Sequence, residues 1–208
     1  MMANPVVTIS APYGAGGGIV GPEVAEQLGV PFLDRVIPTE VARTLAVPLD
    51  EAEAHDERTE SRIGRVLAAL AASAPLHGHI PEGGVRDTAF REQTERVIVA
   101  AAQTTGCVVL GRAAVIVLRN HPGALHTCLT GSLDRRVQQA VTFTTDDEAT
   151  VRKLLADTDR NRQAYFKHFY RSDPDDPRLY HLMIDATVVD LDTCADLIIT
   201  AARNLATR

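Results

Sequence analysis

Cysteine is scarce in this chain, and the pattern of the few cysteines argues against a zinc site. Cys107, Cys128 and Cys194 are widely separated and odd in number, and each lies in an apolar or helical stretch. This pattern favours buried, unpaired thiols. No Cys-x-x-Cys pair occurs, so the sequence offers no cysteine cluster of the kind that holds structural zinc.

The chain also lacks long apolar runs and an excess of basic residues. No stretch approaches the roughly 20 apolar residues that span a bilayer, and the N-terminus lacks a basic region followed by an apolar signal core. We therefore expect a cytoplasmic protein without a membrane partner. Its 21 Lys and Arg face 27 Asp and Glu, a formal net charge of −6, which argues against a nucleic-acid-binding surface.

Two other kinds of catalytic site are disfavoured by what is missing around their candidate residues. Ser10 follows the first predicted strand, but no Gly-x-Ser-x-Gly elbow surrounds it, so we do not expect a hydrolase nucleophile there. His77 and His79 lie two residues apart with Glu82 nearby. Because the sequence fixes no third ligand, we predict no metal site at these histidines.

A glycine-rich segment at residues 8–21 is the most informative feature that is present. A short apolar strand leads into a turn with several glycines, and a helical pattern follows. This arrangement aims backbone N–H groups and the positive end of a helix at an anion. A P-loop reads Gly-x-x-x-x-Gly-Lys-Ser/Thr. Here Gly17 stands in the lysine position and Gly18 in the position of the Mg²⁺-binding hydroxyl, so a phosphate cradle is predicted without its usual cation.

Apolar runs alternate with helical patterns along the chain. We predict strands at residues 6–9, 31–34, 107–110, 124–129 and 182–186. We predict helices at 19–28, 39–45, 49–73, 88–104, 113–118, 133–143, 147–170 (one helix, or two with a break) and 191–205, with a long loop at 74–87. The alternation favours one α/β domain over 1–208, built on a parallel sheet with helices on both faces.

Four segments carry motifs whose order and spacing are informative together. They are Tyr13-Gly-Ala-Gly-Gly17 in the glycine loop, Gly111-Arg-Ala113, Leu133-Asp-Arg-Arg136 and Asp159-Arg-Asn-Arg162. In this order they resemble the cytidylate kinase-like family of P-loop nucleoside monophosphate kinases. The resemblance implies a P-loop NTP-binding fold with a five-stranded parallel sheet, a helical NMP-binding insertion over 38–105 and a lid over about 146–180.

The resemblance also implies roles for particular residues. The catalytic arginines would be Arg112, Arg136, Arg160 and Arg162. The cofactor would be bound by Tyr13, Gly14, Ala15, Gly16, Gly17, Gly18 and Asp159. The substrate would be bound by Asp34, Arg86 and Arg91. No residue of this set is expected to be a metal ligand.

Several of these roles have alternatives that the sequence leaves open. Arg160 and Arg162 are two residues apart and cannot share a helical face, so at most one points squarely at a transferred phosphate. Asp159 either orients an arginine or helps to hold a nucleotide. Asp34 either contacts the acceptor or caps the next helix. Arg91, like Arg86, either reaches the acceptor phosphate or lies on a helix surface.

The implied activity is transfer of the ATP γ-phosphate to CMP or a related monophosphate. ATP and Mg²⁺ are the expected cofactors, with the ion held through phosphates and water rather than by the loop. The missing loop lysine supports an alternative, a catalytically weak or inactive nucleotide-binding sensor or interaction protein. A kinase acting on another small metabolite is a second alternative. Alanine-rich stretches at 66–72 and 97–102 either pack in the core or form a homodimer.

Overall fold

The computed structural model describes residues 4–34 and 84–206. The predicted helices at 39–45 and 49–73, most of the predicted loop at 74–87, and His77 and His79 lie outside the described residues. The strands are β1 (Val6–Ser10), β2 (Phe32–Leu33), β3 (Cys107–Leu110), β4 (Ala124–Thr130) and β5 (Leu182–Asp185). The helices are α1 (Gly17–Leu28), α2 (Gly84–Thr104), α3 (Ala114–Val117), α4 (Leu133–Val141), α5 (Glu148–Tyr170) and α6 (Leu191–Ala206), with a 3₁₀ turn at Pro177–Leu179.

The five strands form one parallel sheet in the order β2-β3-β1-β4-β5. β1 is central, and Thr8 lies between Val109 of β3 and His126 of β4. Every residue of β1 and β3 is buried, as expected for strands that are covered on both faces. The predicted five-stranded parallel sheet is confirmed.

Helices cover both faces of this sheet. On one face α1 and α6 pack over Val7, Ile9 and Leu129, with Ile198 of α6 fully buried. On the other face α2 and α3 pack over strand residues that include Val109, and Ile98 of α2 is fully buried there. The predicted three-layer arrangement is therefore confirmed for the described elements.

Some element boundaries differ from the sequence prediction. α2 begins at Gly84, inside the predicted loop at 74–87. α5 is a single unbroken helix, since no glycine or proline interrupts 148–170. Its N-cap is Asp147, whose side chain accepts a hydrogen bond from the Thr150 amide at 2.8 Å.

The three cysteines are buried and unpaired, as predicted. Burial raises the pKa of the Cys107 and Cys128 thiols to about 11, so neither thiol is readily ionised at neutral pH. In the described part of the chain, no helix has both the length and the apolar character needed to cross a membrane.

Candidate functional site

The carboxyl ends of all five strands lie at the same edge of the sheet because the strands are parallel. Ligands of open α/β sheets bind at this edge. Ser10 ends the central strand here, Asp34 directly follows β2, and Arg112 lies two residues after β3. The turn that begins at Gly131 follows β4, on the other side of the central strand.

The glycine loop runs from the end of β1 directly into α1. Gly14 and Gly16 have φ angles of 82° and 78°, and Gly16 is the N-cap of α1. A Cβ at Gly14 would lie 2.8 Å from the Arg136 carbonyl oxygen, and one at Gly16 would collide with Leu191. The first amides of α1 have no acceptor within their own helix. They can therefore bind an anion, together with the positive end of the helix dipole.

The position of the missing lysine has no room for a side chain. A Cβ at Gly17 would lie 2.7 Å from Ala11 Cβ and 2.9 Å from Leu110 Cδ1. The described residues contain no group of three side chains suited to hold a metal ion. The loop therefore fits the phosphates of a nucleotide through its backbone, but it offers Mg²⁺ no hydroxyl ligand at Gly18.

Tyr13 contributes its backbone to this loop, whereas its side chain belongs to the core. The ring is buried with Val137 of α4 and Val151 and Leu155 of α5. Burial raises the pKa of the phenol, with a smaller contribution from the Asp146 carboxylate. The ring therefore anchors the loop to the neighbouring helices.

Arg136 is buried and uses its guanidinium within the protein. Nη1 donates to the Tyr13 carbonyl at 2.8 Å, and Nε donates to the Gly131 carbonyl at 2.9 Å. Nη1 and Nη2 also donate to the two carboxylate oxygens of Asp159, at 3.2 and 2.7 Å. Asp159 thus makes the arginine-orienting contact, one of the two roles considered for it. Arg136 joins the glycine loop, the turn after β4 and helix α5.

Gln139 also holds the glycine loop, and sequence reasoning missed this contact. Its side-chain amide donates to the Gly14 carbonyl at 2.9 Å. The sequence showed only that glutamine stands one helical turn after Arg136. A glutamine on a polar helix face carries no local signal for a contact 125 residues away.

Arg162 and Arg160 diverge, as their spacing of two residues predicts. Arg162 lies at the end of β1, where Nη2 donates to Ser10 Oγ at 2.9 Å. Its side chain is only 12% exposed. Arg160 is 72% exposed and pairs with Asp157 on its own helix. The structure therefore brings Arg162 to the glycine loop and leaves Arg160 at the surface, where its catalytic role stays a prediction.

Arg112 occupies an unusual turn after β3. Gly111, Arg112 and Ala113 have φ angles of 70°, 54° and 50°, so three successive residues are left-handed. Among the residues that the structure describes, none accepts a hydrogen bond from the Arg112 guanidinium. Burial lowers the pKa of this guanidinium, while the nearby Asp34 carboxylate and Tyr165 raise it. A half-buried guanidinium that has no acceptor among the described residues is a candidate for binding an anion.

Arg91 lies on α2, where it faces the C-terminal part of α5. Its guanidinium lies 5.7 Å from the centre of the Phe169 ring, and Nε lies 3.8 Å from Glu95 Oε1. Both Arg91 and Arg112 interact electrostatically with Tyr165 of α5. These two predicted residues therefore lie near the same part of α5. Arg86 lies on the first turns of α2, but its side chain lies outside the described residues.

Solved structures with a similar fold are known. An uncharacterized protein from Eubacterium ventriosum has a TM-score of 0.70 and 22% identity, covering 97% of this chain and 99% of that one. A shikimate kinase from Acinetobacter baumannii in complex with shikimate has a TM-score of 0.50 and 15% identity, covering 98% of this chain and 95% of that one. A shikimate kinase from Bacteroides thetaiotaomicron has a TM-score of 0.50 and 12% identity, covering 98% and 99%. The fold is thus that of P-loop kinases. No curated protein matches this chain.

The sequence itself matches a family model over most of its length. The model describes the cytidylate kinase-like family, and the match spans residues 6–188. That span contains the glycine loop, the left-handed turn at Arg112, and the helices that carry Arg136 and Arg162. The resemblance drawn from the sequence motifs is confirmed, and the kinase fold and the use of ATP and Mg²⁺ are general features that this family suggests. The chain belongs to the cytidylate kinase-like family.

Proposed function

We propose that this protein binds ATP with Mg²⁺ at the glycine loop and transfers the γ-phosphate to CMP or a related nucleoside monophosphate. The observation that carries the proposal is the position of Arg162. Its guanidinium is hydrogen-bonded to Ser10, at the point where β1 enters a loop that has no cation of its own. Phosphoryl transfer depends on positive charge over the transferred group, and an arginine supplied by another segment can provide that charge.

The donor phosphates would be held mainly by backbone groups. Gly16 ends the loop at the N-terminus of α1, and the side chains of Arg136 and Gln139 hold the carbonyls of Tyr13 and Gly14. These contacts hold the backbone of the loop in one conformation. Charge neutralisation on the phosphates is the chemistry that Mg²⁺ would supply together with ATP. Phosphates and water would be its ligands here.

The acceptor would lie between α2, α5 and the turn after β3. Arg112 lies in the left-handed turn there, and Arg91 approaches from α2. Asp34 is buried, and its carboxylate favours the charged form of the Arg112 guanidinium. A monophosphate acceptor is already anionic at neutral pH, so the transfer needs alignment of two oxygens with the phosphorus and no general base.

One observation favours a second function, that of a nucleotide-binding sensor without turnover. Gly17 is packed so closely that a lysine cannot occupy the usual position. If Arg162 does not reach the transferred phosphate, the loop can bind a nucleotide and yet provide too little charge for transfer. The two functions share the binding step and differ in the release of ADP.

Calorimetric titration of ATP with Mg²⁺, and of CMP separately, combined with an assay for ADP release, tests the proposal. Arg162→Ala should lower the rate of CMP-dependent ADP release on the order of 10²- to 10³-fold. Arg178→Ala is the matched control, because Arg178 is an exposed arginine that pairs only with Asp176 among the described residues.

Each outcome selects one function. Binding with CMP-dependent ADP release supports the monophosphate kinase, and binding without release selects the sensor. ADP release only with acceptors that are not nucleotides selects a small-metabolite kinase. Absence of both binding and release contradicts the proposal.

A further inference from the structure

We propose that Asp175 is a positioning residue that holds Arg162 at the glycine loop, so that this arginine takes the place of the lysine that the loop lacks. The inference rests on the proposed phosphoryl transfer. Asp175 belongs to the loop between α5 and β5, which is rich in Asp and Pro. It lies outside the four sequence segments that resemble the family.

The guanidinium of Arg162 is held from several sides. Nη1 donates to Asp175 Oδ1 at 2.8 Å, and Nη2 donates to both the Pro174 carbonyl, at 3.1 Å, and Ser10 Oγ, at 2.9 Å. The ring of Phe166 lies 5.8 Å from the guanidinium carbon. An arginine has five N–H donors. Three are used here, so Nε and one hydrogen of Nη1 have no acceptor among the described residues and can serve a ligand.

Asp175 is itself fixed, which makes it a rigid support. Its Oδ2 accepts a hydrogen bond from Gln163 Nε2 at 2.6 Å, and its amide donates to Asp173 Oδ1 at 2.9 Å. The neighbouring Pro174 carbonyl also accepts from the Tyr180 hydroxyl at 2.6 Å. Both carboxylate oxygens of Asp175 are thus engaged, and both contacts with Arg162 from this loop are braced by other residues.

Stability alone does not explain this arrangement. The Asp175 side chain is 60% exposed, and ion pairs at such positions add little to the free energy of folding. The carboxylate also reduces the net positive charge beside the loop. The Asp175 carboxylate orients the Arg162 side chain. A free arginine side chain samples many rotamers, whereas one that is already held loses little conformational entropy when it binds a ligand. The pair therefore fits a positioning role.

A double-mutant cycle with a matched control tests the inference. Asp175→Asn should lower kcat for CMP-dependent ADP release on the order of tenfold, as expected when a charged group is slightly misplaced. The same substitution in an Arg162→Ala background should not lower kcat further, because Asp175 acts only through Arg162. Asp176→Asn removes the same charge one residue away, where the partner is Arg178, and should leave kcat unchanged in both backgrounds.

A second readout needs no nucleotide. The ¹⁵N–¹H signal of Arg162 Nε, assigned by its loss in Arg162→Ala, should report a rigid side chain in the wild type and a mobile one in Asp175→Asn. Thermal unfolding of both proteins should agree closely, since the pair adds little stability.

The outcomes separate this inference from the function on which it rests. Non-additive effects on kcat, together with the loss of Arg162 order, support the positioning role. Additive effects, an unchanged kcat or an unchanged Arg162 signal in an active wild type overturn the role and leave the kinase function standing. A wild type without transfer overturns both.

Discussion

At the scale of single residues, Arg112 lowers the free energy of unfolding through its backbone conformation and its buried charge. It and Ala113 are non-glycine residues in the left-handed region, and such residues cost about 1–3 kcal/mol each. Burial also disfavours the charged form of the Arg112 guanidinium and lowers its pKa. Strained backbone of this kind concentrates at ligand sites. We interpret the strain as the cost of directing this cation at the acceptor phosphate.

Arg112→Gly should therefore make the protein more stable and a weaker ligand binder. Glycine relieves the left-handed strain, so the free energy of unfolding should rise by about 1 kcal/mol and Tm by about 2–4 °C. Loss of the charged donor should weaken CMP binding roughly tenfold or more. Thermal unfolding and calorimetric titration of CMP measure the two effects on the same samples.

Arg171→Gly is the control for the effect of strain alone. Arg171 has a φ of 49° at the C-cap of α5 and is exposed. Glycine should stabilise the protein there as well, but the Kd for CMP should not change. Lower stability of Arg112→Gly, or a Kd equal to that of the wild type, would show that Arg112 is held for packing and not for an anion.

At the scale of elements, the glycine loop and α1 form one unit whose shape depends on the absence of side chains. Two rules conflict at Gly17, the first residue of the helix. Helix propensity favours alanine over glycine by at most about 1 kcal/mol, the value for a helix interior. Packing opposes any Cβ there, because Ala11 and Leu110 lie within 3 Å of its position. The shorter distance involves the Cβ of Ala11, which cannot rotate away.

We expect packing to prevail over propensity at this position. Gly17→Ala should lower the free energy of unfolding by about 1–3 kcal/mol, the range for an overpacked site, as measured by urea denaturation. Ala11→Gly removes the closest contact, so the double variant should recover most of the loss. For the same reason Gly17→Lys should not increase ADP release. A Gly17→Ala protein as stable as the wild type would mean that the loop opens easily, and the lysine could then be restored.

At the scale of the whole molecule, the sequence predicted the layers and the glycine loop because their signals are local. Buried strands are continuous apolar runs, and glycine marks the turn before α1. The hydrogen-bond partners of the arginines could not be predicted from such local signals. Arg136 meets Asp159 at a separation of 23 residues and Tyr13 at 123, and Arg162 meets Ser10 at 152. Such partners are set by how the layers pack, so motif spacing identified the arginines but not their contacts.

The sheet also contains a titratable group that links the stability of the whole fold to pH. His126 lies in β4 beside the central strand and is only 4% exposed. Its Nδ1 lies 2.9 Å from Thr8 Oγ1, and its ring centre lies 5.0 Å from that of His181. Burial, and then the charge of His181, lower the pKa of His126 to about 4. This histidine is therefore neutral in the folded protein at neutral pH.

Acid should destabilise the fold through His126 in a defined pH window. In the unfolded chain its pKa is near 6.5, so below that pH the unfolded state binds a proton that the folded state does not. The stability present above pH 6.5 is thus lost as pH falls towards 4, by roughly 2 kcal/mol between pH 7 and 5.

Urea unfolding at these two pH values should show that His126→Gln loses less stability than the wild type by about this amount. His168→Gln, at an exposed position on α5, should follow the wild type. If the wild type and His126→Gln lose stability equally, His126 takes up its proton without unfolding, and the sheet accommodates the charge.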